Sequence, residues 1–207
     1  MNRIFIAVGM SLLVGVAAAQ NSRLAWTRTD ASVDISLNTV RHALVNNQNQ
    51  LVAVGRSPGP NGVRGNITIF NRNRAVVDFE QFGPPGGGDL ELTKVFEYAD
   101  AYLVAGTATP TGSTDQQIYL AILDRSLNMT DEIMFAANNG AGEEVVTDLT
   151  GTSGHRWVCG RAMATNGWRA FAYHLTGGVD NPVLLDNLPL STDLEPQLTY
   201  DVHDIFG

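Results

Sequence analysis

Four histidines, His42, His155, His174 and His203, are the side chains best suited to proton transfer or metal ligation near neutral pH. No two of them stand at His-x-x-x-His or His-Glu-x-x-His spacing, which would set two imidazoles on one face of a helix around one ion. His42 and His174 fall in strand-like runs, His155 closes the polar turn Thr152-Ser153-Gly154-His155, and His203 is flanked by Asp201 and Asp204. A serine nucleophile raised on a tight turn needs Gly-x-Ser-x-Gly. Gly151-Thr152-Ser153-Gly154 lacks the second spacer, so no catalytic residue is named. The single cysteine, Cys159, lies in the apolar run Trp157-Val158-Cys159. As a lone thiol it cannot form an intrachain disulfide; a nucleophile or an interchain partner is conceivable, and a small buried hydrophobe is the ordinary outcome.

Two carboxylate pairs recur at equivalent places, Asp89 with Glu91 and Glu143 with Glu144. Hard cations take such oxygens, so these four are candidate metal ligands, although no Asp-x-Asp-x-Asp loop accompanies them. The alternative is a solvated turn that stays acidic in each unit. The run Gly83-Pro84-Pro85-Gly86-Gly87-Gly88 is rich in glycine, as phosphate loops are, but it leads into Asp89 and Glu91 and has no Lys-Ser or Lys-Thr after it. It reads as a loop. No cofactor motif is present. The side chains expected at the mouths of inner strands, and so the candidates for ligand contact, are Tyr98, Asp100, Tyr102, Trp157 and Trp168.

The elements that must position these residues repeat. Leu51 to Gly55, Tyr102 to Gly106 and Arg156 to Gly160 are each an apolar run closed by glycine, with the glycines 51 and 54 residues apart. Short runs rich in β-formers surround each motif: Asn66 to Phe70, Gln117 to Leu123 and Arg169 to His174, then Ala75 to Phe82, Glu132 to Ala137 and Pro182 to Leu188. Leu90 to Tyr98, Val145 to Leu149 and Leu198 to Val202 lead into the next unit. Turn residues separate them, as in Asn71 to Arg74 and Asp124 to Asn128, and no long helical periodicity intervenes. The expectation is an all-β, propeller-like array of four-stranded antiparallel blades, with units at about 38–82, 90–137 and 145–188 and an incomplete one at 198–207.

Ahead of this repeat domain, 20–207, residues 1–19 read as a signal peptide. Arg3 supplies the charge, Ile4 to Val16 the apolar stretch, and Ala17-Ala18-Ala19 the small residues before Gln20. The apolar stretch is shorter than a bilayer span, and no later segment suffices, so membrane insertion is not expected. The product is expected to be secreted, periplasmic or on the cell surface. Its formal net charge of −8 becomes −9 without Arg3, which argues against sequence-independent nucleic-acid binding, since phosphate neutralisation needs clustered cations.

These motifs carry a resemblance. The chain resembles bacterial secreted β-propeller repeat proteins, whose blades hold a Tyr/Leu-Leu/Val-Val-Ala-Gly strand, a strand ending in Asp plus a turn, and a Trp-bearing outer strand. The matching residues are Tyr102 to Gly106, Ile118 to Asp124, and Leu24-Ala25-Trp26-Thr27-Arg28-Thr29. The resemblance implies a binding platform more than a single activity.

Leu24 to Thr29 then reads as an isolated outer strand, and Leu198 to Val202 as a fourth inner one. Three accounts stay open: a fragment of a longer chain, a small propeller closed by an abbreviated blade or a second copy, or a β fold of another kind. Open sheet edges would invite self-association. The functional expectation is a non-enzymatic module that binds a protein or glycan through its loops. The alternative is a propeller-type glycan-acting hydrolase or lyase with part of its catalytic set outside this chain.

Overall fold

A computed structural model describes residues 39–98, 100–137, 143–151, 155–164, 167–175 and 182–186. The expected signal peptide, the run Leu24 to Thr29 and the incomplete unit at 198–207 lie outside the described residues. Among the described residues there are twelve strands and no helix, and so no helix long and apolar enough to cross a membrane. The fold is all-β and repetitive, as the short alternating runs predict.

The strands form three four-stranded antiparallel sheets, each in chain order. The first holds β1 (Thr39–Val45), β2 (Leu51–Gly59), β3 (Gly62–Phe70) and β4 (Val76–Phe82). The second holds β5 (Gly88–Tyr98), β6 (Ala101–Pro110), β7 (Gln117–Asp124) and β8 (Met129–Phe135). The third holds β9 (Glu144–Gly151), β10 (Arg156–Ala164), β11 (Gly167–Leu175) and β12 (Pro182–Asp186).

Local chemistry explains the hairpins. After β1, β3 and β7 an Asn or Asp side chain bridges a three-residue turn by accepting from two backbone N–H groups. Asn46 Oδ1 takes Gln48 and Gln50, Asn71 Oδ1 takes Asn73 and Ala75, and Asp124 Oδ1 takes Ser126 and Asn128. The residue before each turn closes is left-handed: Asn49 at φ 58°, Arg74 at 65° and Leu127 at 59°. This turn corrects one strand boundary. Asp124 also pairs with Asn128, so β8 starts at Met129, three residues before the Glu132 that hydropathy alone suggests.

The recurrent glycine has a structural cause. Every sheet carries a bulge in its first strand, between Val40 and His42, Leu92 and Lys94, and Val146 and Asp148. The glycine opposite, Gly55, Gly106 or Gly160, faces the carbonyl oxygen of Thr39, Glu91 or Val145 so closely that a Cβ there would fall inside it. Only a residue without a side chain lets the bulged strand approach.

Packing between sheets repeats as well. The first strand of each later sheet lies on the sheet before it, β5 on β1 to β3 and β9 on β5 to β7. Val52, Val54, Ile67 and Ile69 of the first sheet meet Leu92, Tyr102, Val104 and Tyr119 of the second. Leu103, Ala105 and Leu120 of the second meet Val158, Phe171, Tyr173 and Leu175 of the third. A fully buried side chain of this size contributes about 1.5–3 kcal/mol, so the second sheet, buried on both faces, anchors the array.

Candidate functional site

The bulges align three titratable side chains. The residue just past the bulge is His42 in the first sheet, Lys94 in the second and Asp148 in the third. Lys94 Nζ stands 3.1 Å from Asp148 Oδ1, and both side chains are largely buried. That oxygen also accepts from the Leu149 N–H at 2.8 Å. His42 Nδ1 accepts from the Val95 N–H at 3.4 Å, which leaves Nε2 to carry the hydrogen of a neutral ring. Burial, then the Lys94 charge, holds His42 below the ordinary imidazole range, while Asp148 pulls the other way. A histidine, an amine and a carboxylate thus form one polar row across three first strands.

Beside this row, at the junction of the first two sheets, is a cleft of about 160 Å³. Arg56, Asp89, Glu91, Thr107, Thr109 and Gln116 line it, with Val63 and Leu90 as its apolar part. Thr109 faces Asp89 and Thr107 faces Glu91 across the β5–β6 ladder. Glu91 pairs with Arg41 and, at 2.8 Å, with Arg56. Asp89 Oδ1 accepts from the Val63 N–H at 2.7 Å. The side-chain oxygen of Gln116 is buried with no hydrogen-bond donor on it. Thr107 Oγ1 receives the Val146 N–H at 3.2 Å, which ties this wall to the third sheet.

The expected site residues are dispersed. Only Tyr98 lies on a first strand, at its end, where the Arg156 guanidinium sits 3.8 Å from its ring centroid. Asp100 is in the turn between β5 and β6. Tyr102 is fully buried and its oxygen accepts from Asn46 Nδ2 at 2.8 Å and Arg125 Nη1 at 3.1 Å. Trp157 stacks on His174 with ring centroids 4.3 Å apart. Trp168 lies six residues further along the β10–β11 ladder, about 20 Å away, beneath the Arg161 guanidinium.

No protein-family model matches the chain, and no curated protein matches it.

The four candidate metal ligands are divided between sheets. Asp89 and Glu91 lie within β5 and Glu144 within β9, not in turns as their acidity suggests. Asp89 and Glu91 are engaged with the first sheet, while Glu144 is buried. Among the described residues no three or more His, Cys, Asp or Glu side chains group to hold an ion. Cys159 is fully buried, and burial followed by Asp148 pushes its thiol up to about 11, away from nucleophilic reactivity.

Sequence reasoning missed His42, Lys94 and Asp148 as a set, along with Arg56, Thr107, Thr109 and Gln116. A signal existed: the three row residues precede their motif glycines by 13, 12 and 12 positions. Their different chemical types hid the equivalence.

Proposed function

We propose that this chain is a secreted or cell-surface, propeller-like module that binds a glycan and does not turn it over. The cleft between the first two sheets carries this reading. At about 160 Å³ it is smaller than the roughly 300–1,000 Å³ of sites that enclose whole small molecules, so it suits one projecting group of a larger ligand. Its walls alternate acceptors and donors: carboxylates, a guanidinium, two threonine hydroxyls and an amide. A sugar hydroxyl both donates and accepts, so a sugar ring can meet such a wall on several sides. Val63 offers an apolar surface to its C–H face.

The polar row supports the propeller-like part of the proposal. In a radial arrangement the first strands would line the axis, and the row falls on those three strands. It also favours binding over hydrolysis. Glycoside cleavage uses two carboxylates with separate roles. The row offers one, held by Lys94, and the two in the cleft are engaged, Asp89 by the Val63 N–H and Glu91 by Arg41 and Arg56.

An oligosaccharide microarray probed with the full secreted chain tests the reading. Binding to a defined group of sugars, lost in the Thr109→Val/Gln116→Leu double variant, is the expected result. Absence of binding to every sugar, or binding indifferent to that variant, contradicts it.

A further inference from the structure

The third sheet carries a second constellation that the cleft does not use. His155, Trp157 and His174 share one face: Trp157 lies directly opposite His174 in the β10–β11 ladder, and His155 is two residues before Trp157. His155 Nδ1 and His174 Nε2 are 3.3 Å apart. The two imidazole planes differ by 11°, with centroids 5.4 Å apart, so the rings face each other nitrogen to nitrogen. Trp157 packs on the face of His174 at 25°. His155 is exposed.

We propose that His155 and His174 form a two-ligand site for a divalent transition-metal ion, with its remaining positions open to solvent or to an incoming ligand. Two nitrogens each about 2.0–2.1 Å from a tetrahedral ion stand about 3.3 Å apart, the spacing found here. Imidazole nitrogens suit copper, nickel and zinc better than magnesium or calcium. In the free pair one ring donates its N–H to the other. A small rotation of both rings turns the two nitrogens toward a common point. The donor ring then carries its hydrogen on its other nitrogen, so a neutral pair binds the ion as a change of tautomer with no proton lost. His174 sits within the β10–β11 ladder and His155 immediately precedes β10, so the two nitrogens stand near chelating distance before the ion arrives.

Trp157 supplies the readout, because a paramagnetic ion held by His174 lies close enough to quench the indole. The full chain carrying Trp26→Phe and Trp168→Phe, so that Trp157 alone reports, is titrated with Cu²⁺ and with Ni²⁺. Saturable 1:1 quenching is expected, reversed by Zn²⁺ in competition. His155→Gln and His174→Gln are each expected to weaken binding by about 100-fold or more, as a chelate becomes a single ligand. His155 is exposed, so its variant keeps the fold, and circular dichroism checks both. Quenching that does not saturate, or a His155→Gln titration identical to that of the parent, overturns the proposal.

Discussion

Lys94 Nζ meets Asp148 Oδ1 at 3.1 Å, and the two residues occupy the same register position, just past the bulge, in successive sheets. His42 holds that position in the first sheet and feels both charges. Repetition of backbone geometry has therefore assembled a polar row from three chemically unlike residues.

The row gives a pH prediction with a definite sign. The folded pKa of His42 is lowered, so folding disfavours its protonation. Its contribution to stability is complete above the ordinary imidazole value of about 6.5 and is lost as pH falls from there through the lowered value. Histidine NMR titration should show the His42 pKa rising in Lys94→Met and falling further in Asp148→Asn. Shifts of the same sign in both variants would refute the coupling.

The motif glycines should differ sharply from a turn glycine. Gly106→Ala forces the bulged strand away from β6 and is expected to cost about 2–3 kcal/mol or more. Gly112 has φ +78° with no atom near its missing Cβ, so Gly112→Ala meets only backbone strain and should cost about 1 kcal/mol. Urea midpoints at unchanged m-value give the comparison.

How far the sequence reveals this fold is shown by the same glycines. The apolar-glycine motif reports the bulge because a missing side chain is visible in a sequence. The site is less legible, since a first-strand residue gains its neighbours only when sheets stack. Tyr102 illustrates the limit: an aromatic at the start of β6 suggests a ligand platform, yet β6 is buried on both faces and its hydroxyl serves Asn46 and Arg125. Asp89 and Glu91 suggest turn acids, yet they join β5 to the first sheet because the strand begins at Gly88.

The Asn46–Tyr102 bond joins the first turn to the second sheet. Tyr102→Phe removes one of the two acceptors of Asn46 Nδ2, the other being Gln50 Oε1, together with an acceptor of Arg125 Nη1, and is expected to cost about 1–3 kcal/mol. In a double-mutant cycle with Asn46→Ala the two losses should couple. Strict additivity would show that the bond carries no joint energy.

Cys159 should be silent in the folded protein. With its thiol raised to about 11 and no exposed surface, it should react with a thiol-specific disulfide reagent at pH 8 only at the rate of unfolding. A fast native-state reaction would show that the third sheet opens readily.

The central claim is that the junction cleft takes a sugar. The most direct measurement is an amide NMR titration of the chain with the oligosaccharides that score highest on the array. Saturating shifts centred on Val63, Thr107, Thr109 and Gln116, abolished in Thr109→Val/Gln116→Leu, are the predicted result. Saturating shifts confined to other sheet junctions, or none with any sugar, would contradict it.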